Sequence, residues 1–147
     1  MSQPEKRDLL PLLAMLESLG KIEVYASGFR NADDFFNDSD QAKFNASLLL
    51  LLNIGEYASK LSTALTNRHQ NLPFQEIRGL RNRIAHNYIG IDYEMVFDII
   101  QHDLPHVKSR LVEILQVEIG KGTFDRGELE AARSSTHYRH IDFSLIM

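Results

Sequence analysis

The sequence predicts an all-α fold, an antiparallel bundle of four to five helices. Apolar residues recur at three- and four-residue steps through every long segment, no stretch sustains a period of two, and the connections are short. Short connections place successive helices side by side and antiparallel, which lets each bury its apolar stripe economically.

Leu9, Leu12, Leu13, Leu16 and Leu19 share one stripe of a first helix predicted to run to about Ser27, with Gly28 ending it. Asn31 is placed to cap a short second helix through Asp34, Phe35 and Phe36, with acidic residues in the first turn where the helix dipole favours them. From Ser39 to about Asn67 the stripe of Phe44, Leu48, Leu51, Leu52, Ala58, Leu61 and Leu65 is uninterrupted by proline and reads as one continuous central helix. Pro73 suits the first turn of a fourth helix that carries Ile77, Leu80 and Ile84 and stops between Asn87 and Gly90. Asp92 opens a fifth, with Val96, Ile99, Ile100, Leu104, Val107, Leu111, Ile114 and Leu115 on its buried side and a kink expected at Pro105. After Gly120-Lys121-Gly122 the composition shifts to Arg, Glu, Ser and His, and large apolar residues return only at 141–147. The expected organisation is a helical domain over 1–119 and a tail over 120–147, whose end packs back on the body or on a partner.

The bulk numbers narrow the function classes. Hydrophobic residues make up 44% and charged residues 24% of the 147, the balance of a globular protein. There is no cysteine, which excludes a disulfide framework and a thiolate metal site. The first residues lack the pattern of a secretory signal, and the longest apolar run, Leu48 to Leu52, is far shorter than the roughly 20 residues of a membrane span, so a cytoplasmic protein without membrane association is expected. The net charge of −4 argues against a surface that coats nucleic acid and leaves room for one local basic cleft. No glycine-rich phosphate loop, Ser or Cys nucleophile context, or paired-carboxylate nucleotidyltransferase motif is found. His102 and His106 have a spacing that can hold a metal, but only Asp103 lies nearby and it points elsewhere; His137 and His140 have less support still, and neither metal nor cofactor is expected. Phe29, Phe35, Phe36 and Phe44 read as core.

The chemistry concentrates between Glu76 and Asp92, where Arg78, Arg81, Arg83 and His86 crowd one helix. Asn82 and His86 share a face, as do Arg81 and Tyr88, whereas Arg81 and His86 lie about 140° apart on an ideal helix. Cleaving RNA without a metal requires a group that moves the 2′-hydroxyl proton and a cation that neutralises charge on the phosphorane. Histidine and arginine are the residue types for those two tasks. Spacing alone leaves a second reading open, in which the arginines form ion pairs on a solvated face and His86 is a helix C-terminal residue favoured by the dipole. Glu56 on the central helix either pairs with one of these arginines or stands as an exposed acid, and Tyr57 belongs to core or interface.

Arg, four residues, His, one residue, Tyr, here Arg81, His86 and Tyr88 with Asn82 after the arginine, resembles the signature of the HepT toxins of the HEPN superfamily. Asn53-Ile54-Gly55-Glu56-Tyr57-Ala58-Ser59-Lys60-Leu61-Ser62 looks like that family's central-helix segment, and Tyr88 to Asp92 and Asp103-Leu104-Pro105 fit the segments that follow. The likeness extends roughly from Lys6 to Glu118 and leaves the tail outside it. It implies a HEPN helical bundle, homodimeric, acting as a metal-independent endoribonuclease toxin of a type VII HepT/MntA toxin–antitoxin system. Arg81 and His86 would be catalytic at a dimer cleft, with Arg78, Asn82 and Arg83 binding or orienting the RNA. Tyr88 would be the site of inactivating AMPylation by a cognate MntA-like minimal nucleotidyltransferase, alone or within a larger hetero-oligomer. The other reading the likeness permits is a non-catalytic HEPN module that binds a nucleotide or docks such a transferase.

Overall fold

A computed structural model describes residues 3–87 and 89–147, with side chains from residue 5 onward. Among them are helices α1 (Gln3–Lys6), α2 (Leu9–Ala26), α3 (Ala32–Asn37), α4 (Ala42–Ser59), α5 (Thr63–Arg68), α6 (Phe74–His86), α7 (Tyr93–Asp98), α8 (Leu104–Gly120) and α9 (Arg126–Arg133), and no strand. The main body is the antiparallel bundle that the periodicity predicts. α4 lies between α2 and α6, and α8 packs on α2. Leu12, Leu13, Leu48, Leu51, Leu111 and Leu115 are essentially solvent-free at its centre.

Most predicted boundaries have a visible cause. Gly28 turns the chain out of α2 at φ +87, a conformation that costs glycine little. The Asn31 side chain accepts from the Asp34 amide at the start of α3, and Asp92 accepts from the amides of Glu94 and Met95 at the start of α7. The proline kink takes a definite form: a π-helical turn, Ile99–Asp103, joins α7 to α8 just ahead of Pro105, which has no amide hydrogen to continue an α-helical ladder.

The single central helix from Ser39 to Asn67 is corrected. Ser39, Asp40 and Gln41 have positive φ, so α4 begins only at Ala42. The C-terminal part separates because Ser62 is extended and caps α5, its hydroxyl oxygen accepting from the Leu65 amide. Ser62 is held there from outside: its amide and hydroxyl both donate to the carboxylate of Asp8, at 2.8 and 2.6 Å. A break therefore serves an apolar stripe that could have run on.

The tail folds back on the body. Phe124, Leu129, Ala132, Ile141, Phe143 and Ile146 belong to the same hydrophobic core as α2 and α8. Gly20 of α2 lies so close that a Cβ on it would sit 2.8 Å from the Cβ and carbonyl oxygen of His140, whose amide donates to the buried Glu17 at 2.7 Å.

The junction of tail and bundle rests on Glu118, which has no exposed surface. Its carboxylate receives hydrogen bonds from Arg68 (2.9 Å), Thr123 (2.7 Å) and His69 (2.6 Å), and Arg68 also grips Glu5. Burial pushes the Glu118 carboxyl up, but the bonds from His69, Thr123 and Arg68 outweigh it and hold the group down to about 2. A depressed folded-state value contributes stability that is present above the ordinary 4.5 and is lost as pH falls toward about 2. Asp8 acts in the opposite sense, since burial raises its carboxyl above the usual range despite the bonds from Ser62, so its protonation favours the folded chain.

Glu118→Ala should therefore destabilise the protein by about 3 kcal/mol at pH 7, because it leaves Arg68 without half of its partners in a partly buried site. Urea unfolding at stepped pH should show the difference from wild type shrinking as pH falls from about 4.5 toward about 2. A difference independent of pH would contradict the assignment.

Candidate active site on the motif helix

The site begins with a glycine. Gly55 on α4 is buried, and a Cβ there would lie 2.3 Å from the Cβ of Arg81 and 3.1 Å from the carbonyl oxygen of Ile77. α4 and α6 thus cross at backbone distance, closer than any other residue would allow. The next residue, Glu56, receives both the Nε and one terminal nitrogen of Arg81, while the other terminal nitrogen donates to Asn82 Oδ1 at 2.9 Å. One turn earlier, Arg78 donates to the Ala58 carbonyl at the end of α4 at 3.3 Å, satisfying a group that a helix terminus leaves without a partner. Of the alternatives left open for Glu56, pairing with an arginine of the motif helix is the one observed.

The candidates therefore divide into two sets. Arg78 and Arg81 are drawn onto the α4 side. Asn82, which accepts from Arg81, is exposed, as are Arg83 and His86. Arg83 reaches the sulfur of Met95 and meets no carboxylate among the described residues. His86 closes α6, whose last turn is basic, and makes no hydrogen bond or ion pair with the described residues. Because α6 stays α-helical through His86, the rotation of about 140° between Arg81 and His86 is retained, and one chain does not aim both at the same point. Tyr88 lies outside the described residues.

Two further features were not singled out in the sequence. Gly55 carried a signal, a glycine in the interior of a strongly periodic helix, which marks a close approach when it has a reason at all. The second is the space between α6 and α8. α6 leans on α4 while α8 leans on α2, and the gap forms a groove of about 680 Å³. Leu51 and Ile54 of α4 line it, and Arg83 stands on its wall. Of the histidines weighed as metal ligands, His106 lines this groove, whereas His102 faces Asp98 at 3.5 Å on an exposed surface.

A helical bundle presenting Arg, four residues, His at the end of its third long helix is the arrangement of the HEPN superfamily. A family model described as "Ribonuclease HepT-like" matches residues 15–114, and the chain belongs to that family. A protein of Caldanaerobacter subterraneus subsp. tengcongensis that bears the name "Putative RNase" is 32% identical over 65 residues, 44% of this chain and 58% of its own length. Another of that name from Methanocaldococcus jannaschii is 30% identical over 84 residues, 57% of this chain and 68% of its own. One from Thermococcus cleftensis, "Probable ribonuclease HepT", is 23% identical over 61 residues, 42% of this chain and 56% of its own. In the first and third cases the chain spans less than two thirds of the relative. No solved structure gives a significant match. No described helix is long and apolar enough to cross a membrane.

Gly55→Ala tests the crossing. The methyl group meets Arg81 at its rigid Cβ and α6 at its backbone, so α6 must move. A loss of about 1–3 kcal/mol in urea unfolding is expected, and an unchanged midpoint would refute the close crossing.

Proposed function

We propose that this protein is a metal-independent endoribonuclease in which Arg81 and His86 cleave RNA at the cleft of a homodimer. The observation that carries this reading is the motif helix itself: Arg81 is set by Glu56 at a glycine-gated crossing, while His86 stands exposed and unengaged at the end of the same helix. An arginine fixed by a carboxylate presents a pre-oriented charge, and a histidine with both ring nitrogens open can accept or donate a proton.

The reaction follows from these parts. The 2′-hydroxyl of one nucleotide attacks the adjacent phosphorus as His86 takes its proton. The phosphorane charge is met by Arg81, and the 5′-oxygen departs with a proton from His86 of the second copy. The products are a 2′,3′-cyclic phosphate and a 5′-hydroxyl. Two-fold symmetry supplies acid and base from one motif, and it also answers the 140° divergence, since a histidine from the other copy can face an arginine that its own cannot. Asn82 steadies the Arg81 fork, and Arg78 and Arg83 add positive charge for the RNA backbone.

Family membership and the relatives' printed names support this reading. The same reading places the protein in the cytoplasm as the toxin of a type VII HepT/MntA pair. A minimal nucleotidyltransferase would silence it by adding AMP to Tyr88, and a bulky anion near the arginines would compete for the charge that the substrate phosphate needs. One observation favours the second reading, a non-catalytic module that binds a nucleotide or docks the transferase: Arg81 engages all three guanidinium nitrogens within its own chain.

The test is cleavage of total RNA by purified protein in EDTA, beside His86→Ala, with product ends analysed. Wild type is expected to cut and leave 2′,3′-cyclic ends, and His86→Ala to be slower by at least about 100-fold while remaining folded. Equal cleavage by both would overturn the catalytic assignment. Absence of cleavage by a wild-type chain whose intact mass shows no adenylyl group would favour the binding module.

A further inference from the structure

We propose that the groove between α6 and α8 is a nucleotide-binding subsite that holds one residue of a single-stranded RNA beyond the scissile phosphate. The inference rests on the ribonuclease reading for its occupant, but its geometry is separate from that of Arg81 and His86.

The groove has two chemistries in the right layers. Its floor is apolar, formed by Leu51 and Ile54 of α4, Ile77 and Leu80 of α6, and Leu104 and Val107 of α8. Its rim is polar and exposed, with Arg83 and Glu76 on one side and Asp103, His106 and Arg110 on the other. Apart from Arg110, which pairs with Glu113 at 2.9 Å, these rim groups form no ion pair with the described residues. Among the described residues, two carboxylates and a histidine without ion pairs, and two arginines, of which Arg83 reaches only the Met95 sulfur, therefore face each other across an apolar slot. At about 680 Å³ the space is of the size that encloses a small organic ligand.

A nucleotide matches that layering. The flat faces of a base suit the apolar floor, and its edge carries both donors and acceptors for the carboxylates and His106. The phosphate is an anion of the geometry that a guanidinium fork grips, and Arg83 has no carboxylate to give up first. A purely apolar partner helix would leave Glu76, Asp103 and Arg83 buried without partners, which is costly.

The groove is also placed to serve the motif. Arg83 and His86 are three residues apart on α6, roughly 4.5 Å along the axis and 60° around it. A strand whose phosphate reaches His86 then passes Arg83 and can lay its next base between the helices. Asp103 and Glu76 accept hydrogen bonds only, so the slot favours a base that presents adjacent imino and amino hydrogens to a carboxylate, as guanine does, over uracil, which presents a single imino hydrogen.

The test uses the full chain and fluorescein-labelled 2′-O-methyl RNA hexamers, which carry no 2′-hydroxyl and cannot be cut. Wild type should bind the G-containing hexamer more tightly than the all-U hexamer. Arg110→Glu should weaken binding about tenfold and reduce its salt dependence, and Asp103→Asn should narrow the preference between G and U. Equal affinities for wild type and both variants would overturn the subsite. So would a change in oligomeric mass on Arg110→Glu or Leu80→Ala, which would mean that a second copy covers the groove. Cleavage with normal hexamer binding by the groove variants sinks this inference alone; lost binding by those variants with no cleavage by wild type sinks the ribonuclease reading alone.

Discussion

The architecture turns on the contact of Gly55 with Arg81. A hydrogen in place of a methyl at position 55 lets α6 descend onto α4 until the Arg81 Cβ occupies the space where a side chain would stand. That approach puts Glu56 within reach of the Arg81 fork and the Ala58 carbonyl within reach of Arg78. It has a consequence on the far side: a helix drawn hard onto α4 leaves α8, which follows α2, at a distance, and the gap becomes the α6–α8 groove. One missing methyl group thus orients the motif arginine and opens a slot beside the motif.

Around that crossing the chain closes its polar requirements with charged clusters at the edges of the bundle. Asp8 holds the break before α5 through Ser62, Glu118 gathers Arg68, His69 and Thr123 where the tail departs, and Glu17 receives the tail's end through His140. Each is an acid with almost no exposed surface that ties segments far apart in sequence. The tail, reading on composition as an appendage, is fastened at both ends by such acids. It also contributes Phe124, Leu129 and Ile141 to the common core.

Much of this was legible in the sequence because it is local. The stripes of α2 and α8, the caps Asn31 and Asp92, and the end of α6 at Asn87 follow from spacing and from the side chains at each boundary. The break at Ser62 was not legible, since its cause is Asp8, 54 residues away, and the apolar period runs through it undisturbed. Gly55 was visible only as an oddity within a helix, because what it admits comes from another helix. The same holds for the site. Crowding of Arg78, Arg81, Arg83 and His86 could be read directly, but their division into two arginines facing α4, an Arg83 at the groove and an exposed His86 depends on which side of α6 the bundle covers.

That division makes the central claim specific: one chain holds Arg81 and His86 on a helix that turns them apart, so the proposed cleavage needs the arginine of one copy and the histidine of the other. The most direct measurement is cleavage by an isolated heterodimer of Arg81→Ala and His86→Ala chains carrying different tags. The two parent homodimers should be inactive, and the heterodimer, which keeps one Arg81 facing the His86 of the other copy as base but lacks the second His86 as acid, should regain partial cleavage, above both parents and below wild type. A heterodimer as inactive as its parents, beside an active wild type, would contradict the account.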